Sequence, residues 1–183
     1  MRSVLFYFKT SSPGSFAKNT MKLLILVITA TTTALMAGLF YAWSCSVTIG
    51  LARLSDPEYI VAMQSMNRAI QNPVFFSCFL GSPAALLFST YLHYEPPLSI
   101  RFWCLLAATL AYLTGGLGVT IFGNVPLNEA LEAFHLPSAS VPEMSALRAN
   151  FEAPWNRLNM VRTVASTLAV TLVIIACLHP TDR

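Results

Sequence analysis

The sequence predicts an all-α fold: a four-helix transmembrane bundle with short amphipathic helices capping the non-cytoplasmic side. Three observations predict it. The 183-residue chain is 55% hydrophobic and only 10% charged, where an ordinary soluble domain is about 25% charged. Four long uncharged runs recur along it, and a hydrocarbon core of ~30 Å takes ~20 helical residues at ~1.5 Å each. The connections between the first and second runs, and between the third and fourth, carry helical periodicity of their own. The net charge of +3 is modest. No basic stripe interleaved with aromatic residues accompanies it, so nucleic acid is not an expected partner.

Residues 1–20 read as a flexible N-terminal tail, with "TSSPGS" (Thr10 to Ser15) of linker composition. Met21 and Lys22 open the membrane domain, residues 21–180, and Met21 is a second candidate start. The first apolar run is too long for a signal-peptide core and ends without a clear small-residue cleavage pattern. The four spans fall at about 23–46, 73–94, 101–123 and 159–178. The fourth run, Thr163 to Leu178, has only 16 residues before His179. To cross the core it must take in the residues before it, so Asn159 and Arg162 belong to the helix. The link "HYEPPLSIR" between the second and third spans is short and makes them antiparallel neighbours.

Arg2, Lys9, Lys18 and Lys22 precede the first span without an acidic residue. Lysine and arginine mark the cytoplasmic side. Both termini are therefore expected in the cytoplasm, and a bacterial inner membrane is the simplest setting. The longer connections then lie outside. "DPEYIVAMQSMNRAIQNP" begins with a capping residue and a proline, and Tyr59, Ile60, Met63, Met66 and Ile70 recur at helical spacing. It is either a separate amphipathic helix or one continuous with the second span through a kink at Pro73. "NVPLNEALEAF" is another short helix, followed by a break at "HLPSAS". Ser140 and Glu143 then form a capping box, and the helix they start is expected to be interrupted at Pro154.

"TGGLGVTIFG" in the third span reads first as close helix packing and second as space for a ligand. Cys45 and Cys78 fall near the same face, and a disulfide between them competes with the stronger reading of inert packing. No CxxC occurs, and His93, His135 and His179 are too scattered for a metal or haem site. No cofactor is expected.

The most informative stretch is "WNRLNMVRT". On a helix Trp155, Asn159, Arg162 and Ser166 share one face, with Asn156 and Thr163 beside it. An arginine at membrane depth costs roughly 2.5–3.5 kcal/mol at the centre and less near the interface, and it usually faces the bundle interior. Glu129, Glu132 and Glu152 are its nearest acids by topology. The amides of Asn67, Asn72, Asn124 and Asn128 sit at the same ends of the spans, as does Trp43. The competing reading has the arginine snorkelling, tryptophan anchoring at the interface and the asparagines capping helices.

"AGLFYAWSCSVTIGLARL", "MQSMNRAIQNPVF", "GNVPLNEAL" and "FEAPWNRLNMVRT" together resemble a family of small four-span membrane proteins that includes fungal and bacterial anthrone oxygenases. The resemblance covers roughly residues 23–178, and "NVPLN" and "WNRLNMVRT" are its most specific pieces. It implies a four-helix integral membrane protein. In characterised relatives it implies insertion of oxygen into an activated anthrone carbon, with no metal or flavin required. Such a site needs an apolar slot, a partner for a developing oxyanion, and a base. On position, Arg162, Asn159 and Asn128 are the catalytic candidates. Asn67, Asn72, Asn124, Trp155, Asn156 and Trp43 are the substrate-binding candidates. Glu152, His135 or water is the base.

Two functions remain open at this point. One is a cofactor-independent oxygenase acting on a hydrophobic aromatic or polyketide-like substrate. The other is a non-catalytic accessory subunit, or a binder of a lipid or quinone-like molecule. Membrane lipid and a hydrophobic small molecule are the expected partners, and the sequence identifies no protein partner. A transporter fits poorly, since four spans without internal charge make a poor ion pathway.

Overall fold

The computed structural model describes residues 13–179. Among these, every regular element is helical. Helix α1 (Pro13–Ala42) continues through a π-helical segment (Trp43–Val47) into a last turn (Thr48–Leu51). Helix α2 (Asp56–Ala69) lies in the first connection, and α3 (Pro73–Leu92) is the second span. Helix α4 (Ile100–Ala111) runs on through two π segments (Tyr112–Gly118 and Thr120–Asn124) into α5 (Val125–Glu132). A 3₁₀ turn (Leu136–Ser138) leads to α6 (Val141–Leu178). Among the described residues four helices are long and apolar enough to cross a membrane: Phe16–Leu51, Pro73–Leu92, Ile100–Glu132 and Val141–Leu178.

Two boundaries differ from the sequence reading, and one alternative left open there is resolved. Helix α1 begins at Pro13, so residues 13–20 are helical rather than tail; Pro13 suits a helix start because its missing N–H would have no intrahelical partner there. The expected tail over residues 1–12 lies outside the described residues. The connection after α1 is a separate helix rather than a kinked extension of the second span. Ser55 is its cap, boxed with Glu58, and Asp56 and Pro57 fill its first turn. Glu58 is held below its ordinary value by the Ser55 hydroxyl and backbone N–H.

The second difference is Pro154, which does not break α6. A proline inside a helix removes one i→i−4 bond at a cost of ~3 kcal/mol. Phe151 and Trp155 on either side of it are buried to 3% and 4%, and this packing holds the helix through the defect. The Ser140–Glu143 capping box starts α6 as expected.

The spans form a ring in which α1 packs on α3 and α6, and α4 packs on α3 and α6. Polar contacts tie the ring: Thr29 shares a 2.8 Å hydrogen bond with Ser89, and Thr90 a 2.9 Å bond with Thr109. Small residues close it. A Cβ on Gly115 would lie 2.3 Å from Ala165 Cβ, and one on Gly123 would lie 2.9 Å from Leu158 Cδ1. The glycine-rich stretch therefore works as close packing of the third span against the fourth. Leu23, Leu24, Val27, Leu35, Leu87 and Val164 stand exposed on the outside, as lipid-facing positions must.

Two hydrophobic cores stack along this ring. Met36, Phe40, Phe79, Leu86, Leu105, Tyr112 and Val173 fill the bundle. Leu51, Tyr59, Ile60, Met63, Leu131, Phe151 and Trp155 fill the cap beyond it. The cap is pinned by Arg148, which donates to Asp56, Glu152 and the carbonyls of Leu54 and Ala52. Its guanidinium lies 4.5 Å from the centroid of the Tyr59 ring. Gln64 adds bonds to the carbonyls of Leu131 and Phe134. At the opposite end, Lys18 and Lys22 both pair with Glu95 in the α3–α4 link.

Candidate active site

A cavity of about 430 Å³ lies at the seam between the two cores. That volume falls in the ~300–1,000 Å³ range of small-molecule sites. Each wall follows from helical spacing. Leu39, Phe40 and Trp43 come from the end of α1, where the π segment begins. Phe75, Phe76 and Phe79 come from the first two turns of α3. Val125, Asn128, Glu129 and Glu132 are i, i+3, i+4 and i+7 on α5, which is one helix face. Asn67 comes from α2 and Gln71 from the link that follows it, and Trp155 and Arg162, seven apart, come from α6.

The stripe expected on α6 is buried along its length: Trp155 4%, Asn159 1%, Arg162 7% and Ser166 0% exposed. Arg162 points inward rather than snorkelling. Its Nη2 donates to Asn159 Oδ1 at 2.8 Å and its Nη1 to Thr120 Oγ1 at 3.5 Å. Its charge lies over two rings, 4.6 Å from the Phe40 centroid and 5.2 Å from that of Trp155. Its buried Nε has no partner among the described residues. Among the described residues no carboxylate pairs with it: Glu132 is taken by Arg68 at 2.6 Å and Glu152 by Arg148 at 2.7 Å. Of the expected acid partners, Glu129 and Glu132 line the same cavity as Arg162 and Glu152 does not, and among the described residues none of the three is ion-paired to it, so the buried cation faces the cavity without a bonded counter-ion. Such an arrangement favours a ligand that carries, or develops, negative charge.

Asn159 does not line the cavity; it holds what does. Its Nδ2 donates to the Phe40 carbonyl at 3.2 Å and to Ser44 Oγ at 2.8 Å. Ser44 shares a 2.9 Å bond with Thr163 Oγ1, which donates back to the Asn159 carbonyl. With its amide nitrogen committed to α1, its oxygen can only face Arg162. Asn128 accepts from Trp155 Nε1 at 2.8 Å, fixing the indole against Trp43 with ring centroids 5.0 Å apart. Asn67 lines the cavity, and its buried Nδ2 has no partner among the described residues.

The remaining candidates are placed differently. Asn124 is buried behind the wall, its Nδ2 donating to the Trp155 carbonyl at 3.4 Å and its Oδ1 without a partner among the described residues. Asn72 caps α3, accepting from Phe75 N–H at 3.0 Å and donating to the Ala69 carbonyl. Pro73 demands such a helix start, so Asn72 is structural. Asn156 is half-buried one residue past Trp155 and does not line the cavity; one step along a helix turns a side chain ~100° away. Of the candidate bases, Glu152 is bound to Arg148, and His135 is exposed beside Ser138. Neither lines the cavity. The cysteines are free, and among the described residues no three His, Cys, Asp or Glu side chains gather as a metal site.

Sequence reasoning missed the aromatic floor of Phe40, Phe75, Phe76 and Phe79, as well as Gln71 and Thr120. Apolar rings in a span carry no signal that separates a cavity wall from a lipid face. The π segments are also silent in sequence. Each widens the helix locally and turns the residues beyond it, and such segments recur at functional sites.

A family model described as anthrone oxygenase matches residues 75–172, more than half of the chain. The chain belongs to the anthrone oxygenase family. The matched stretch runs from the first turn of α3 to near the end of α6. It therefore holds Phe75, Phe79, Thr120, Asn128, Trp155, Asn159 and Arg162, while Trp43 and Asn67 precede it. No curated protein and no solved structure matches the chain.

Proposed function

We propose that this member of the anthrone oxygenase family is a cofactor-independent oxygenase for a hydrophobic aromatic, polyketide-like substrate. The observation that carries the reading is Arg162: a buried guanidinium with no carboxylate partner among the described residues, on the wall of an aromatic cavity.

An anthrone has a flat apolar body, one carbonyl, and an acidic methylene opposite it. Loss of a methylene proton spreads negative charge onto the carbonyl oxygen. In a low-dielectric slot a fixed cation stabilises that oxyanion far more than water does. Phe75, Phe76, Phe79, Trp43 and Trp155 supply the apolar walls, and Asn159 holds the guanidinium in place. Asn67 and Asn128 offer amides to orient polar substituents. The resulting carbanion reacts with dioxygen, giving an anthraquinone and water. The positive bias of the N-terminal segment further supports placing both termini in the cytoplasm and the cap outside, in a bacterial inner membrane.

The same cavity supports a second reading, non-catalytic binding of a quinone-like molecule, because a quinone oxygen also accepts from Arg162. Oxygen uptake separates the two. The detergent-purified protein is expected to consume dioxygen with an anthrone and form the anthraquinone. Tight binding of a quinone without uptake would leave only the binding role. An absorption spectrum and mass spectrometry of the purified protein check for a bound chromophore.

A further inference from the structure

We propose that Glu129 is the general base of this site; the proposal rests on the oxygenase reading above. Glu129 and Glu132 are the carboxylates on the cavity wall. They sit three apart on the same face of α5, but their surroundings differ. Glu132 is held by Arg68 at 2.6 Å, so one of its oxygens is already engaged in an ion pair. Among the described residues Glu129 forms no ion pair or side-chain hydrogen bond, so its lone pairs are available. It neighbours Asn128, which fixes Trp155, and it stands on the wall contributed by α5 while Arg162 stands on that of α6. A substrate in the cavity thus meets an acceptor for its proton and a separate cation for its charge. Glu129 is also exposed at the cap end of the cavity wall.

Glu129 takes one methylene proton, and the C–H electron pair moves onto the ring carbon and carbonyl oxygen beside Arg162. Dioxygen accepts those electrons, one then the other, as the C–O bond forms, leaving a peroxide anion that Glu129 protonates. Glu129 then takes the second C–H proton. That electron pair becomes the new C=O bond as the O–O bond breaks, and the departing hydroxide leaves as water with the proton Glu129 returns. The substrate loses two hydrogens and gains one oxygen, dioxygen is reduced, and the carboxylate is regenerated.

The test uses the full-length protein in detergent with an anthrone and Glu129→Gln. Two readouts are followed over pH: oxygen uptake, and anaerobic exchange of methylene hydrogen in deuterated water. General-base catalysis contributes about 10²–10⁴-fold, so the variant should lose uptake and exchange by that factor below the pH at which the anthrone ionises unaided. Above that pH its uptake should return toward wild type, since no base is needed. Full exchange and uptake by Glu129→Gln at the lower pH would overturn the assignment while leaving the oxygenase reading intact. Wild-type protein that neither exchanges nor consumes oxygen would end both. Should the Gln variant misfold, Glu129→Asp carries the test: slower exchange at every lower pH supports the assignment, and an unchanged rate overturns it.

Discussion

Arg162 Nη2 donates to Asn159 Oδ1 across 2.8 Å, three residues apart on one helix. Asn159 is in turn fixed to α1 through the Phe40 carbonyl and Ser44. The cation is thereby aimed without being neutralised. A carboxylate at position 159 would hold the arginine more firmly and cancel the charge that faces the cavity.

That contrast defines the first prediction. Asn159→Asp should still fold and insert, with a modest loss of stability because a carboxylate cannot donate to the Phe40 carbonyl as Nδ2 does, but it should lose oxygenase turnover. Asn159→Ala should lose both: about 1–3 kcal/mol of stability from buried groups left unpartnered, and turnover as the guanidinium loses its anchor. Thermal melts and oxygen uptake on the same preparations check both. An active Asn159→Asp would show that the free charge is not needed.

Packing of the third span on the fourth makes a second prediction. Gly115→Ala places a Cβ 2.3 Å from Ala165 Cβ, and the two backbones must separate. Overpacking of this kind costs about 1–3 kcal/mol. Gly116→Ala meets Ser166 Oγ and the Tyr112 ring at 3.5 Å, an ordinary contact. It should be near neutral. Melting temperatures of the two variants should differ clearly, with Gly115→Ala the lower.

The cap gives a third. Arg148 satisfies two carboxylates and two backbone carbonyls while only 14% of its side chain is exposed. Its bonds to Glu152 and Asp56 hold the guanidinium above its ordinary value. Arg148→Ala leaves those acceptors unpaired, and about 2 kcal/mol of stability should go, since hydrogen bonds to charged groups are worth ~1.5–3 kcal/mol. Amide hydrogen exchange should rise in α2 and the start of α6 before it rises in the spans.

A fourth concerns pH at the opposite end. Hydrogen bonds from Lys18 and Lys22 pull Glu95 from its ordinary 4.5 down to about 2. Its folded value lies below its unfolded one, so the stabilisation is present above about 4.5 and fades as pH falls toward about 2. Glu95 is half-exposed, and screening limits the effect to ~1 kcal/mol or less. The difference in melting temperature between wild type and Glu95→Gln should therefore shrink on acidification through that window. A constant difference would show that the ion pairs contribute nothing.

Much of this was legible in the sequence, for identifiable reasons. The spans announce themselves by length and lack of charge. The stripe through Trp155, Asn159, Arg162 and Ser166 is legible because α6 keeps a regular period and those residues are too polar to face lipid. The Ser140–Glu143 box is local chemistry and survives in the fold. Asn72 and Asn156 lie off the cavity wall for two different reasons. A cap asparagine and a site asparagine look alike until the following Pro73 is given its helix, and adjacency on a helix is not proximity. Pro154 misled because its local cost is real but smaller than the packing around it. The faces presented after Trp43 and Thr120 depend on π segments that have no sequence signature.

The central claim is that Arg162 stabilises an oxyanion in an oxygenase cavity. The most direct measurement is oxygen uptake with an anthrone by wild type and Arg162→Gln, both shown to be folded in detergent. Wild type should consume one dioxygen per anthrone, and the variant should lose about 10²–10³-fold in kcat, the usual effect of removing one oxyanion donor. A folded Arg162→Gln that turns over at the wild-type rate, or a wild type that leaves oxygen untouched, would contradict it.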